Sequence, residues 1–276
     1  MPSSVREPEA ATPHRAERLL WLLTLLAGIM PAANTVGATE GRAHPEVGTV
    51  PATVLWFDER EPGVPPYRTR MIVVRDFMRM DDGDAGDDFV LFDRRTGSIH
   101  SVSHEDRTVL DIPARPVVRA PPYELVLSET REPLDDAPRI AGRVPEHLRL
   151  RVNGSVCYET VVVPGLLDDV VAAMRAYRRS LAGEQARTLD WTPVEMQTPC
   201  VLAHVIFHPA RHLAYGFPIQ HRDYRGYVRV LQDYREQVPV DAALFRLPAG
   251  YRHYTLDAVR AQDALKGPAG RPAGSN

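Results

Sequence analysis

The stretch that most constrains the fold is Tyr67 to Ile112, YRTRMIVVRDFMRMDDGDAGDDFVLFDRRTGSIHSVSHEDRTVLDI. Short apolar runs recur in it at roughly ten-residue spacing, separated by turn residues, as in the meander of a barrel or curved sheet. Arg68 to Asp81 reads as one long strand bent at Arg75-Asp76. Successive side chains of a strand point to opposite faces, so Phe77, Arg79 and Asp81 share one face and Met78 and Met80 the other. Asp82 to Asp88 is a turn, and Phe89 to Asp93 the second strand. Arg94-Arg95-Thr96-Gly97 turns the chain again, with Gly97 where positive φ is tolerated. Ser98 to Val102 and Thr108 to Ile112 complete four antiparallel strands, joined by the turn His104 to Arg107.

The remaining segments extend this sheet and add one helix. Thr49 to Phe57 suits a first strand or a short helix, and Glu61 to Pro66 is a loop because Pro and Gly break both. The proline-rich segment Pro113 to Pro122 is a connector, and Tyr123 to Thr130 a strand. His147 to Val152 and Ser155 to Val163 flank Asn153-Gly154, the strongest short hairpin signal in the chain. From Pro164-Gly165 onward Leu167, Val170, Val171, Met174, Tyr177, Arg178 and Leu181 recur at helical spacing, to about Arg187. Asp168 and Asp169 complement the helix dipole in the first turn, and Gly183 is a weak point. Cys200 to Phe207 and Leu213 to Ile219 read as a hairpin around His208 to Arg211. Tyr227 to Glu236 stays open between strand and helix, and Ala243 to Tyr251 reads as a terminal strand. The expected fold class is α+β: a curved antiparallel sheet, a half-barrel, packed around one long amphipathic helix. It forms one domain over residues 39–256, followed by a flexible tail over 257–276 in which Asp257 to Lys266 suits a short frayed helix.

The beginning of the chain looks like an export signal. Arg15 and Arg18 precede the apolar run Leu19 to Ile29, and Val36-Gly37-Ala38 offers the small residues of a cleavage site. Residues 1–38 are therefore expected to be a signal peptide, and the mature protein periplasmic or secreted, with no stable membrane span after cleavage. Cys157 and Cys200, an even count in an exported chain, are expected to pair. Closing a loop of about 40 residues is worth roughly 4 kcal/mol on the chain-entropy account.

Composition excludes some partners. The net charge is −3 and no long basic run occurs, so nucleic acid is not an expected partner. There is no GxGxxG, no P-loop and no G-x-S-x-G elbow, and no cofactor is expected. Asp81, Asp82, Asp84, Asp87 and Asp88 invite a calcium reading, but the run lacks the closing Glu of an EF-hand and reads as a solvated hairpin tip. His204, His208 and His212 would share one helix face and suit zinc, yet Pro209 interrupts them and the flanks favour a hairpin. A metal-dependent hydrolase is therefore the weakest of the readings, and no metal site is expected.

Met71-Ile72-Val73, Phe77 to Asp81, Leu91 to Ile99 and His104 to Val109 together resemble exported half-barrel proteins similar to the bacterial lipoprotein-carrier (Lol) superfamily. The late segment Leu244-Phe245-Arg246-Leu247-Pro248-Ala249-Gly250-Tyr251 looks like the last strand of those proteins. The resemblance implies a sheet curled around a helix, enclosing an apolar concavity that holds an acyl chain. It implies a periplasmic binding or carrier-like protein whose partner is a lipid or lipoprotein acyl chain. Met78, Met80, Phe89, Leu91 and Ile99 are the candidate lining from the sheet, and Val170, Met174 and Leu181 from the helix. The same residues can pack as plain core. That gives the rival expectation, an envelope structural or interaction protein with a filled core and a protein partner.

Overall fold

The structure is a computed structural model that describes residues 48–84 and 86–266. The expected signal peptide lies outside the described residues. The strands are β1 (Thr49–Arg60), β2 (Tyr67–Val73), β3 (Phe77–Asp81), β4 (Phe89–Asp93), β5 (Ile99–Ser103), β6 (Thr108–Ile112), β7 (Leu127–Pro133), β8 (Glu146–Val152), β9 (Ser155–Val163), β10 (Phe217–Asp223), β11 (Val228–Asp241) and β12 (Arg252–Tyr254). They form one open sheet in the order β12-β6-β5-β4-β3-β2-β1-β11-β10-β9-β8-β7. Every pairing is antiparallel except β12 with β6. The long helix α1 (Asp168–Thr188) lies on one face. Over the described residues the protein is thus mostly β, with an unclosed sheet and one long helix.

The opening stretch holds one strand more than its sequence suggests. The bend at Arg75-Asp76 is a full hairpin: β2 pairs with β3 from Val73↔Met78, and Val74 N–H donates to Phe77 O at 2.9 Å. Arg94, from the next turn but one, holds it closed. Its Nη1 donates to Val74 O at 2.7 Å and its backbone N–H to Asp76 O at 2.9 Å. The Asn153-Gly154 turn forms as expected, with φ of 48° and 81°, the left-handed pair that a two-residue hairpin requires. Between them β8 and β9 bury Leu148, Leu150 and Val152.

Sheet strands 1–6 are covered on both sides. Leu55, Phe57, Met71, Val73, Met78, Val90, Phe92, Ile99, Leu110 and Ile112 pack under α1. Ala52, Val54, Ile72, Phe89, Leu91, Val102 and Val109 pack on the opposite face against Phe245, with Leu244, Leu247 and Tyr251 at the margin. The wholly apolar Phe89 to Phe92 is what a strand buried on both faces looks like. Gly183, which looked like a weak point of the helix, is where the proline-rich connector crosses α1. A Cβ there would stand 1.9 Å from Arg115 O.

Two segments differ from expectation. Cys200 to Phe207 is helical: α2 (Pro199–Val201) widens into π-helical turns over Leu202–Phe207. Thr198 caps it, accepting from Val201 N–H at 3.4 Å, with Pro199 in the first turn. That start signal outweighs the β-branched composition downstream. Ala243 to Tyr251 is not a strand. Asp241 accepts from Ala243 N–H at 2.8 Å and starts a 3₁₀ turn, Ala242–Phe245, so the closing strand is the short β12. The short helix read over Asp257 to Lys266 forms as α3 (Leu256–Lys266), and its Asp257 pairs with Arg115 and Arg187 at 2.9 and 2.5 Å. Those partners come from the connector and from α1, contacts invisible in local sequence.

Candidate functional site

The expected lining is only partly brought together. Met78, Ile99, Val170, Met174 and Leu181 meet in the cluster under α1, with Met80 at its edge. Phe89 and Leu91 stand on the other face. The register pairs Arg79 with Leu91 and Met78 with Phe92, so Val90 and Phe92 are what β4 turns toward the helix. A strand buried on both faces has no polar–apolar alternation to fix its parity, which is why the sequence misleads here. The concave face is packed: Tyr177 meets Phe92 edge-on at 5.7 Å between ring centres, and Met78 is fully buried.

An opening survives at the N-terminal end of α1. A half-open pocket of about 270 Å³ has Leu166, Leu167 and Val170 as its floor, all three members of the apolar cluster under the helix. Thr53 of β1 and Tyr234 of β11 form a wall, and Arg143, Asp168, Asp169 and Glu236 supply charge around it. Leu167 precedes the helix with φ 52°, a left-handed conformation that costs a leucine about 1–3 kcal/mol. Asp169 is held by Arg94, whose Nη2 and Nη1 donate to its two oxygens at 2.6 and 3.0 Å. Helical periodicity pointed to Leu167 and Val170. Thr53, Arg143 and Tyr234 come from distant segments, and nothing local marks them.

A second, fully enclosed cluster lies under α2. The register of β8 and β9 passes from Leu150↔Tyr158 to Arg151↔Val156, so Cys157 is an extra residue, a β-bulge. Cys157 and Tyr158 are consecutive yet both buried. Cys157 bonds Cys200, at 5.2 Å between Cα atoms, which fixes the expected disulfide. Tyr158 meets His204, four residues further along the same helical segment, at 4.5 Å between ring centres. His212 stacks flat on Tyr158 at 5.0 Å, and His221 approaches it at 5.9 Å. Both ring nitrogens of His204, Nδ1 of His212 and Nε2 of His221 have no hydrogen-bond partner among the described residues. Burial, reinforced by nearby arginines, pushes His204 and His221 down to about 3 and His212 well below the ordinary histidine value. All three rings are neutral at pH 7.

These histidines stack on a tyrosine and do not converge on a point. Among the described residues no three His, Cys, Asp or Glu side chains gather as a metal site. His204 and His212 of the sequence triplet meet, while the third place is taken by His221 of β10. His208 is the one of the triplet that the tyrosine does not gather. The acidic hairpin also changes character. Asp81 is buried and bonded to Arg70 at 2.8 Å and Arg79 at 2.6 Å, so it belongs to the sheet and not to a solvated tip.

No family model and no curated protein matches the sequence. Among solved structures the chain is similar to PNGF-II in a C2 crystal form, at 9% identity and a TM-score of 0.37, over 79% of this chain and 33% of that one. It is also similar to MucB, at 9% identity and a TM-score of 0.33, over 73% of this chain and 59% of that one. The chain therefore spans less than two thirds of either protein. Likenesses this distant assign neither a family nor an activity.

Proposed function

We propose that this is an exported, carrier-like binding protein of half-barrel type, which takes the end of an apolar ligand, a lipid or lipoprotein acyl chain, into the pocket at the start of α1. One observation carries the reading: the pocket floor, Leu166, Leu167 and Val170, is continuous with the apolar seam between sheet and helix. At about 270 Å³ the pocket is at the small end for ligand sites, so it suits a chain end and not a whole lipid. Met80 and Met174 border the seam, and methionine adapts its shape more readily than a branched side chain. The Cys157–Cys200 bridge supports a location outside the reducing cytosol. Native mass spectrometry of protein purified from the exported fraction tests the reading. The expected result is a lipid adduct that Thr53→Trp, which fills the pocket wall, removes. A clean apo mass for the wild-type protein overturns it.

A second reading, an envelope interaction protein with a filled core, is supported by the close packing of Phe92 and Tyr177. It is also supported by the exposure of Trp191, Val194 and Met196 together on the segment after α1. An apo mass with a stoichiometric protein companion favours it.

A further inference from the structure

We infer that His204, His212 and His221 form an acid-sensitive latch that fastens the α2 segment onto β9 and β10, with the Cys157–Cys200 bridge as a tether that keeps the released segment at hand. The geometry comes first. Three imidazoles from the α2 segment, the following turn and β10 close around Tyr158, and four of their ring nitrogens lack a partner among the described residues. Buried polar atoms are normally bonded, so with four orphaned nitrogens the rings themselves contribute packing in place of hydrogen bonds, while Arg211, which donates to Arg151 O at 2.9 Å and Ser128 O at 2.8 Å, fastens the end of the segment. Packing of that kind tolerates a neutral ring and not a charged one, because an unpaired buried cation is severely disfavoured.

The surroundings offer an imidazolium no relief. Arg178 faces the cluster from α1, His208 and Arg211 from the turn after α2, Arg225 from the turn after β10, and Arg229 from β11. Tyr158 of β9 and Tyr227 of the turn before β11 contribute neutral hydroxyls, with the Tyr227 ring 5.4 Å from that of His221. The two carboxylates in this set are already engaged, Asp223 of β10 by Arg225 at 2.7 Å and the backbone N–H groups of Arg225 and Tyr227, and Glu59 of β1 by Arg229 at 3.2 Å and the hydroxyls of Thr69 and Tyr227. A proton added to any of the three rings therefore meets cations and no free carboxylate. Opening the latch lets the rings reach water, where histidine protonates near its ordinary value.

The direction follows from linkage. The closed form binds fewer protons than the open form, so the latch is stable above the open-state value near 6.5 and weakens as the pH falls below it. Each histidine that gains a proton on opening makes opening about tenfold more favourable per pH unit. Release uncovers Tyr158 and the apolar residues Leu148, Leu150 and Val162 beneath it, while the disulfide prevents the segment from leaving.

Hydrogen exchange of the full chain, oxidised, from pH 7.5 to 4.5 and corrected for intrinsic rates, tests the latch. The expected result is selective loss of protection over residues 199–213, about a thousandfold per pH unit below 6.5 when all three rings gain a proton, while α1 and β2 to β6 stay protected. Protection returns on neutralisation. His221→Phe, which keeps an aromatic ring but cannot protonate, should flatten that slope about tenfold per pH unit, and His204→Leu should do the same. The latch is overturned if residues 199–213 stay protected to pH 4.5, or open only together with α1. It is also overturned if the wild-type slope survives in both variants.

Discussion

The two halves of the sheet solve the same burial problem with different chemistry. Strands β1 to β6 are covered by aliphatic and aromatic side chains on both faces, and their buried charges are paired, as Arg79 is with Asp81. Strands β8 to β10 are covered by a helical segment tied down by a disulfide, and three buried histidines, one each from that segment, the turn after it and β10, close around Tyr158 at the junction. Apolar burial does not titrate, whereas a core of neutral imidazoles is stable only while protons are scarce. One sheet can thus carry a permanent wall and a conditional one, and the pocket at the start of α1 lies where the two meet, at β1 and β11.

Acid should separate the halves most strongly. His204 and His221, both depressed to about 3, lose stabilisation as the pH falls from 6.5 toward 3, because the unfolded chain protonates first. At about 1.4 kcal/mol per pH unit for each, the loss between pH 6.5 and 4.5 is on the order of 5 kcal/mol. A pH series of urea unfolding should show it, and His204→Leu with His221→Phe should remove most of the dependence. Asp81→Ala attacks the other half. It strands Arg79 in the interior, which costs about 3–5 kcal/mol, and Arg79 also donates to Leu244 O at 2.8 Å, so residues 242–251 should loosen with it. The same unfolding series reads this loss, and exchange of 199–213 at pH 7.5 should not change.

Reduction of Cys157–Cys200 comes next. For a separation of 43 residues the chain-entropy account gives about 4 kcal/mol at most. Its effect should concentrate on β9 and α2 and should abolish reversible reclosure after acid treatment, as followed by binding of an apolar dye. Gly183→Ala should have the smallest effect of the four, about 1–3 kcal/mol, as α1 and the connector shift apart at Arg115. It should leave the acid response intact, which a thermal melt at pH 7.5 and 5.0 checks.

Legibility followed the same division. The meander, the Asn153-Gly154 hairpin, the long helix and the disulfide were all readable, because each rests on a local signal or on a pair of cysteines. Parity in β4 was not, since Phe89 to Phe92 is apolar at every position and both faces are buried. The α2 segment was misread because Val201, Val205 and Ile206 favour strands, while Thr198-Pro199, a helix start, decided the outcome. The histidine cluster was half visible. His204 and His212 stood out by spacing, but His221 joins them only through the pairing of β9 with β10. The pocket was the least visible feature, for its wall combines residues from β1, β11 and the turn at Arg143.

The most direct test of the proposed function is a methyl NMR titration at pH 7.5 with a twelve-carbon acyl amphiphile. Binding in the pocket predicts saturable shifts at Leu166, Leu167 and Val170, smaller ones at Met80 and Met174, and none at Val102 or Val109 on the far face. Absence of shifts at the three floor residues up to the solubility limit, or shifts confined to Val194 and Met196, would contradict it.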